Sequence, residues 1–115
     1  MKDEREIRWI GSSYADLLAF PTDSRCEAGF QLGKVQAGLD PDDWKPFSDA
    51  GAGVREIRIR EAGGAFRVMY VAKFDDAVYV LHCFQKKSQA TTKHDKDITA
   101  ARFRAVMQQR RERKD

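Results

Sequence analysis

Cysteine and histidine are scarce in this 115-residue chain, with two of each, and their scarcity excludes several kinds of site. The four residues, Cys26, His82, Cys83 and His94, do not have the paired spacing of metal ligands, so the sequence predicts no metal centre. Two cysteines are also too few for a disulfide framework. Each stands in an apolar periodic context, and we expect both to be buried free thiols.

Long apolar runs and nucleotide-binding motifs are absent as well. No apolar stretch approaches the length of a membrane span, and the start MKDEREIRW contains no secretory signal, so we expect a cytoplasmic protein without membrane contact. Neither Gly51-Ala52-Gly53 nor Gly63-Gly64 leads into a helix carrying the Lys-Ser/Thr of a phosphate loop, and both are predicted to be turns. No serine or cysteine is paired with a base, which disfavours covalent catalysis. The sequence predicts no cofactor.

Charge is distributed unevenly along the chain. The composition, 42% hydrophobic and 34% charged, is that of a single globular domain over residues 1–115. Residues 1–53 contain 6 Lys/Arg and 10 Asp/Glu, a balance of −4, whereas residues 54–115 contain 15 Lys/Arg and 8 Asp/Glu, a balance of +7. Clustered cations bind polyanions, so the basic half suggests a nucleic-acid surface, with a solvated basic helix as the alternative.

Three consecutive strands are predicted at 54–60, 66–74 and 77–85. In the first, apolar residues alternate with charged ones, so that one face is core and the other is charged. The second is apolar on both faces except at Arg67, as in a central strand. Short turns at Gly63-Gly64 and Asp75-Asp76 connect the three into an antiparallel meander.

The remaining segments are predicted to pack around this meander. We expect an edge strand at 7–10, a helix at 14–20, capped by Ser12 or Ser13, and a second helix capped by Thr22 or Asp23. The sequence predicts an ordered loop at 40–53, anchored by two aromatic residues, and a C-terminal helix capped by Thr91 or Thr92. The second helix has an apolar stripe and two glycines that could allow close packing. The stripe consists of Cys26, Phe30, Leu32 and Val35, with Leu39 beyond, and the glycines are Gly29 and Gly33. The fold class is therefore α+β: an antiparallel sheet of a short N-terminal strand and a three-strand meander, packed against two N-terminal helices, with a C-terminal helix.

Antiparallel pairing should bring many cations of the basic half together. Such a cluster binds a phosphodiester backbone and can stabilise the charge that builds when a 2′-hydroxyl attacks phosphorus. The alternative is solvent-facing charge paired with Glu56 and Glu61. Arg67 stands apart, because an arginine buried among apolar residues must be paired or functional. The cluster comprises Arg55, Arg58, Arg60, Arg67, Lys86, Lys87 and Lys93.

Four stretches resemble the RelE/ParE superfamily of bacterial toxins, in particular its HigB-like, phage-derived branch. They are DPDDWKP, REIRIREAGGAFRVMYV, YVLHCFQKKSQ and the start of a helix with threonine and acidic residues. The resemblance implies a RelE-like fold and a type II toxin that cleaves messenger RNA on the ribosome without a metal ion. It also implies a cognate helix-turn-helix antitoxin as partner, besides the ribosome and mRNA.

The same resemblance assigns roles to individual residues. Arg58 and Arg67 match the family's arginines at the scissile phosphate, and Lys86 and Lys87 match its Lys-Lys motif, so these four are the predicted catalytic residues. Four others are predicted to bind RNA: Arg55, Arg60, Lys93 and His94. No general base can be named from the sequence. Two alternatives remain open: inhibition of DNA gyrase, as in a sibling branch with the same fold, and RNA binding without catalysis.

Overall fold

Three helices and five strands follow one another in residues 4–113, the part of the chain that the structure, a computed structural model, describes. None of these helices is long and apolar enough to cross a lipid bilayer. In chain order the elements are β1 (Glu6–Trp9), α1 (Ser13–Leu18), α2 (Thr22–Gln36), β2 (Trp44–Pro46), β3 (Val54–Glu61), β4 (Gly64–Val71), β5 (Ala77–Lys86) and α3 (Lys93–Arg113).

The strands form one sheet in the order β1-β5-β4-β3-β2. The predicted meander of β3, β4 and β5 is confirmed, and Gly64 closes its first turn with a φ of 130°, which glycine adopts without strain. Two features differ from the prediction. Strand β1 lies at the edge as expected but pairs parallel to β5, so the sheet is mixed. The segment predicted as a loop contains β2, which pairs antiparallel to β3 and adds a fifth strand.

Strand β2 is short and lies at the edge of the sheet, where Pro46 can end it without breaking an interior ladder. Trp44 is half-buried, and the guanidinium of Arg55 lies 4.1 Å from the centre of its ring. Phe47 packs against the core beneath α3. Both aromatic residues therefore anchor this segment, as predicted.

Each face of the sheet carries a separate hydrophobic core. Helices α1 and α2 cover one face, where Leu17 and Leu32 pack on Ile57 and Val68. Helix α3 covers only part of the other face, where Val106 belongs to the second core. The strand residues of that second core include Val54, Met69, Val71, Tyr79 and Leu81. The end of this face formed by the last residues of β3 and β5 is left open by α3.

The predicted apolar stripe of α2 is wrong in part. Phe30 is 62% exposed and Cys26 is exposed, whereas the polar Gln31 is buried. The reason is that the Gln31 side chain donates a hydrogen bond to the Asp42 carboxylate and accepts one from the Asp42 backbone N–H, which turns this side of the helix inward. Gly29 and Gly33 face open space, so close packing does not explain them.

The predicted side-chain caps are found at one of the three helices. Ser12 precedes α1 and Pro21 precedes α2, and among the residues that the structure describes neither helix has a side-chain cap hydrogen bond. At α3 the prediction is confirmed, because the Thr92 hydroxyl accepts a hydrogen bond of 3.2 Å from the backbone N–H of Asp95. This cap fixes the start of α3 beside the open end of the sheet.

Candidate active site

Cationic side chains occupy the open end of the sheet, on the face that α3 covers elsewhere. Arg58 of β3 lies opposite Arg67 of β4, and Arg60 lies opposite Ala65, which in turn pairs with Lys86 of β5. Successive side chains of a strand point to opposite faces, so these residues share one face. The antiparallel register therefore brings the predicted catalytic residues of three strands together.

These side chains line a cleft of about 640 Å³. Among residues 4–113, no acidic residue lines this cleft, and such a concentration of one charge sign creates a strong positive potential. Four of its cations form no ion pair within residues 4–113, namely Lys45, Arg60, Lys86 and Lys87. The complete set of cations in the lining adds Arg58 and Arg67 to these four.

Arg67 is the most deeply placed of the six, with only 4% of its surface exposed. Its Nη1 donates a hydrogen bond of 3.1 Å to the Phe66 carbonyl, and its Nε lies 3.7 Å from Oε2 of Glu56. Burial lowers the pKa of Arg67, and the charge of Glu56 opposes that shift. Arg67 is predicted to be either paired or functional, and the ion pair with Glu56 satisfies the first alternative. Glu56 itself is 1% exposed, so its expected place on a solvent-facing strand face is wrong.

The other predicted catalytic residues surround Arg67 at the surface. Arg58 is half-exposed, and its Nε donates a hydrogen bond of 3.1 Å to the Asp43 carboxylate, which fixes the guanidinium at the rim. The pKa of Lys86 is lowered, first by burial and then by the charge of Arg67. Lys87 is exposed beside it. A buried arginine, a fixed rim arginine and a lysine that gives up its proton more readily thus converge on one cleft.

Three of the predicted RNA-binding residues lie outside this cleft. Arg55 points to the opposite face of the sheet, where it donates a hydrogen bond of 3.2 Å to the Asp40 carboxylate. Lys93 pairs with Asp97 on the exposed side of α3, and His94 is exposed next to it. Arg60 is the one residue of that set which lines the cleft.

Sequence reasoning missed Lys45 and Glu56. Lys45 belongs to β2 and lies directly opposite Glu56 of β3, which places it at the rim of the cleft. Lys45 belongs to the DPDDWKP segment of the sequence. Its side chain can be assigned to the face of the cleft only after this segment is recognised as a strand.

His82 lies next to the site without lining the cleft. Its Nε2 is 2.8 Å from Oδ1 of Asp95, and its ring stacks on that of Phe84 with 4.9 Å between ring centres. Burial lowers the pKa of His82, with Asp95 acting in the opposite direction. The contact ties β5 to the first turn of α3. Within residues 4–113, no group of three His, Cys, Asp or Glu side chains could hold a metal ion.

The architecture and the comparisons agree on the class of protein. The five-stranded sheet with two N-terminal helices and a C-terminal helix is compatible with a RelE-like α+β fold. Residues 15–104 match the family model described as phage-derived protein Gp49-like (DUF891), and the chain belongs to this family, which is part of the RelE toxin-like group. No curated protein matches the chain.

Proposed function

We propose that this protein is the HigB-like toxin of a type II toxin–antitoxin system and acts as a ribosome-dependent endoribonuclease that cleaves mRNA. The observation that carries the proposal is the cleft that, within the described part of the chain, is lined by six cations and no acidic residue. Four of those cations have no ion-pair partner in the described chain, so they are available to the phosphates of a polyanion. Membership of the Gp49-like family, within the toxin-like group, supports the same class.

The reaction is attack of the ribose 2′-oxygen on the adjacent phosphorus. The 2′-O–P bond forms, the P–O5′ bond breaks, and the products are a 2′,3′-cyclic phosphate and a 5′-hydroxyl end. Arg58 and Arg67 stabilise the negative charge that builds on the non-bridging oxygens, and one such donor contributes about 10²–10³ in rate. The side chains themselves supply the positive charge at the reacting phosphate.

Lys86 is placed to protonate the leaving 5′-oxygen. Its pKa is lowered by burial and by Arg67, which brings the ammonium group closer to the range in which general acids work best. The three remaining cations lie nearer the surface and hold the flanking phosphates. They are Lys45, Arg60 and Lys87.

Induced expression in bacteria tests the proposed function. We expect growth arrest with rapid appearance of new mRNA 5′ ends within translated regions, and no such ends when translation initiation is blocked beforehand. Filamentation and a DNA damage response with intact mRNA would instead support the gyrase inhibitor. Absence of any growth effect would support a noncatalytic module.

We also propose that the cognate helix-turn-helix antitoxin inserts an acidic segment into the cleft, because that segment would compete directly with RNA for the unpaired cations. Acetylation of the complex with the neighbouring gene product should show protection of Lys45 and Lys87, while Lys93 on the exposed side of α3 stays reactive. Equal labelling of all three lysines in a stoichiometric complex would rule out occlusion of the cleft.

A further inference from the structure

Glu56 has a free carboxylate oxygen in the interior of the protein. Its Oε1 is buried and has no hydrogen-bond partner among the described residues, and the neighbouring Nε of Arg67 lacks one as well. The 3.7 Å between Oε2 and that Nε is too long for a hydrogen bond. Leaving a buried polar atom unpaired costs about 1–3 kcal/mol, so two such atoms side by side call for an explanation.

The position of Glu56 supplies that explanation. Besides pairing with Arg67, Glu56 lines a second cleft of about 300 Å³, which shares Lys45, Lys86 and Gln89 with the cationic cleft. The two clefts therefore adjoin along these three residues. The other carboxylate of the second cleft, Asp49, is exposed and lies 3.8 Å from the Lys96 ammonium at the outer side.

We infer that Glu56 is the general base of the proposed RNA cleavage, and this inference rests on that proposed function. Oε1 accepts the proton of the attacking 2′-hydroxyl as the 2′-O–P bond forms. The P–O5′ bond breaks on the other side of the phosphorus, and the leaving oxygen takes a proton from the Lys86 ammonium. Both side chains then return to their starting states by exchange with water.

The neighbours of Glu56 suit this role. The 2′-hydroxyl is a hydrogen-bond donor, so its arrival in the second cleft supplies the partner that Oε1 lacks. Arg67 lines the cationic cleft and its Nε lies 3.7 Å from the Glu56 carboxylate, which places the base and the group that stabilises the phosphate side by side. The competing reading makes Glu56 only a counter-ion that holds Arg67 in place.

Single-turnover cleavage of mRNA on programmed ribosomes separates the two readings. Glu56→Gln keeps the size of the side chain and removes its basicity, and Glu61→Gln makes the same change at the end of the same strand, outside both clefts. We expect the Glu56→Gln rate to fall by about 10²–10⁴ at neutral pH, with RNA binding retained, and the Glu61→Gln rate to stay at the wild-type value.

The pH dependence adds a readout that a counter-ion would not change. Without its base, the reaction depends on hydroxide, so the ratio of wild-type to Glu56→Gln rate should fall by about tenfold per pH unit as the pH rises from about 7 to 9. A pH-independent ratio, or a variant that cleaves within about threefold of wild type, overturns the inference. Failure of the wild-type protein to cleave would instead reject the proposed function.

A second variant decides the matter if Glu56→Gln does not fold. Glu56→Asp keeps the negative charge near Arg67 and withdraws the carboxylate by about one bond length, and a displacement of that size costs a catalytic group up to about 10²-fold in rate. We expect a folded protein whose cleavage rate falls by at least about tenfold. A wild-type rate in Glu56→Asp means that the charge alone suffices, which overturns the role as base.

Discussion

Truncation of Arg67 to alanine should destabilise the protein more than truncation of any other cation in the cleft. Arg67 and Glu56 are both buried and form the only ion pair between two buried side chains in residues 4–113. Removing one partner leaves the other charge buried and uncompensated, at a cost of about 3–5 kcal/mol. The free energy of unfolding of a domain of this size is about 5–15 kcal/mol, so the loss is a large fraction of the total stability.

The measurement is urea unfolding of Arg67→Ala and of Arg58→Ala as a matched control. Arg58 lies opposite Arg67 on the neighbouring strand, but it is half-exposed and its partner Asp43 is exposed, so its removal should cost no more than about 1 kcal/mol. The double variant Arg67→Ala/Glu56→Gln also removes the uncompensated carboxylate. Its loss in free energy of unfolding should be about 1–3 kcal/mol smaller than the sum of the losses in the two single variants. Equal losses in free energy of unfolding for the two alanine variants, or a loss in the double variant equal to the sum of the single losses, would contradict a stabilising buried pair of Arg67 and Glu56.

Two further predictions concern buried titratable groups. Burial lowers the pKa of His82 below its ordinary value of 6.5, so the unfolded chain binds a proton at a higher pH than the folded chain does. The free energy of unfolding should therefore fall as the pH drops below about 6.5, and His82→Gln should reduce this slope in urea unfolding at about pH 7.5 and 5.5. Burial raises the pKa of the Cys83 thiol, whereas Cys26 is exposed, so Ellman's reagent should label one thiol rapidly in the native protein and two in denaturant. An unchanged slope in His82→Gln would contradict the first prediction, and rapid labelling of Cys83 in the native state would contradict the second.

The meander could be predicted because its signals are local. Alternation in 54–60, the double glycine at 63–64 and the apolar run around Arg67 each specify strand or turn over a few residues. That a buried Arg67 is paired or functional also follows from the sequence, because the cost of an unpaired buried charge does not depend on the details of packing.

The missed features depend on contacts between distant segments. Strand β2 has only three residues, and nothing local distinguishes them from a loop; its pairing with β3 creates the strand and places Lys45 at the cleft. The parallel pairing of β1 with β5 is equally non-local. Glu56 keeps its place in the alternation of β3, on the face of Arg58 and Arg60, but it is buried. Alternation assigns a residue to a face and does not show which distant segments, such as those lining the second cleft, lie beside it. The inward side of α2 is set by hydrogen bonds between Gln31 and Asp42, which its apolar periodicity does not reveal.

Single-turnover cleavage of ribosome-bound mRNA by Arg58→Gln and by Arg55→Gln tests whether the cationic cleft is the site of RNA cleavage. The two arginines lie on the same strand, their side chains are 38% and 39% exposed, and each pairs with an aspartate at 3.1 and 3.2 Å, but they point to opposite faces of the sheet. We expect Arg58→Gln to lower the cleavage rate by about 10²–10³ and Arg55→Gln to leave it within a few-fold of wild type. Equal rates for the two variants, whether both high or both low, would contradict the assignment of the active site to this face.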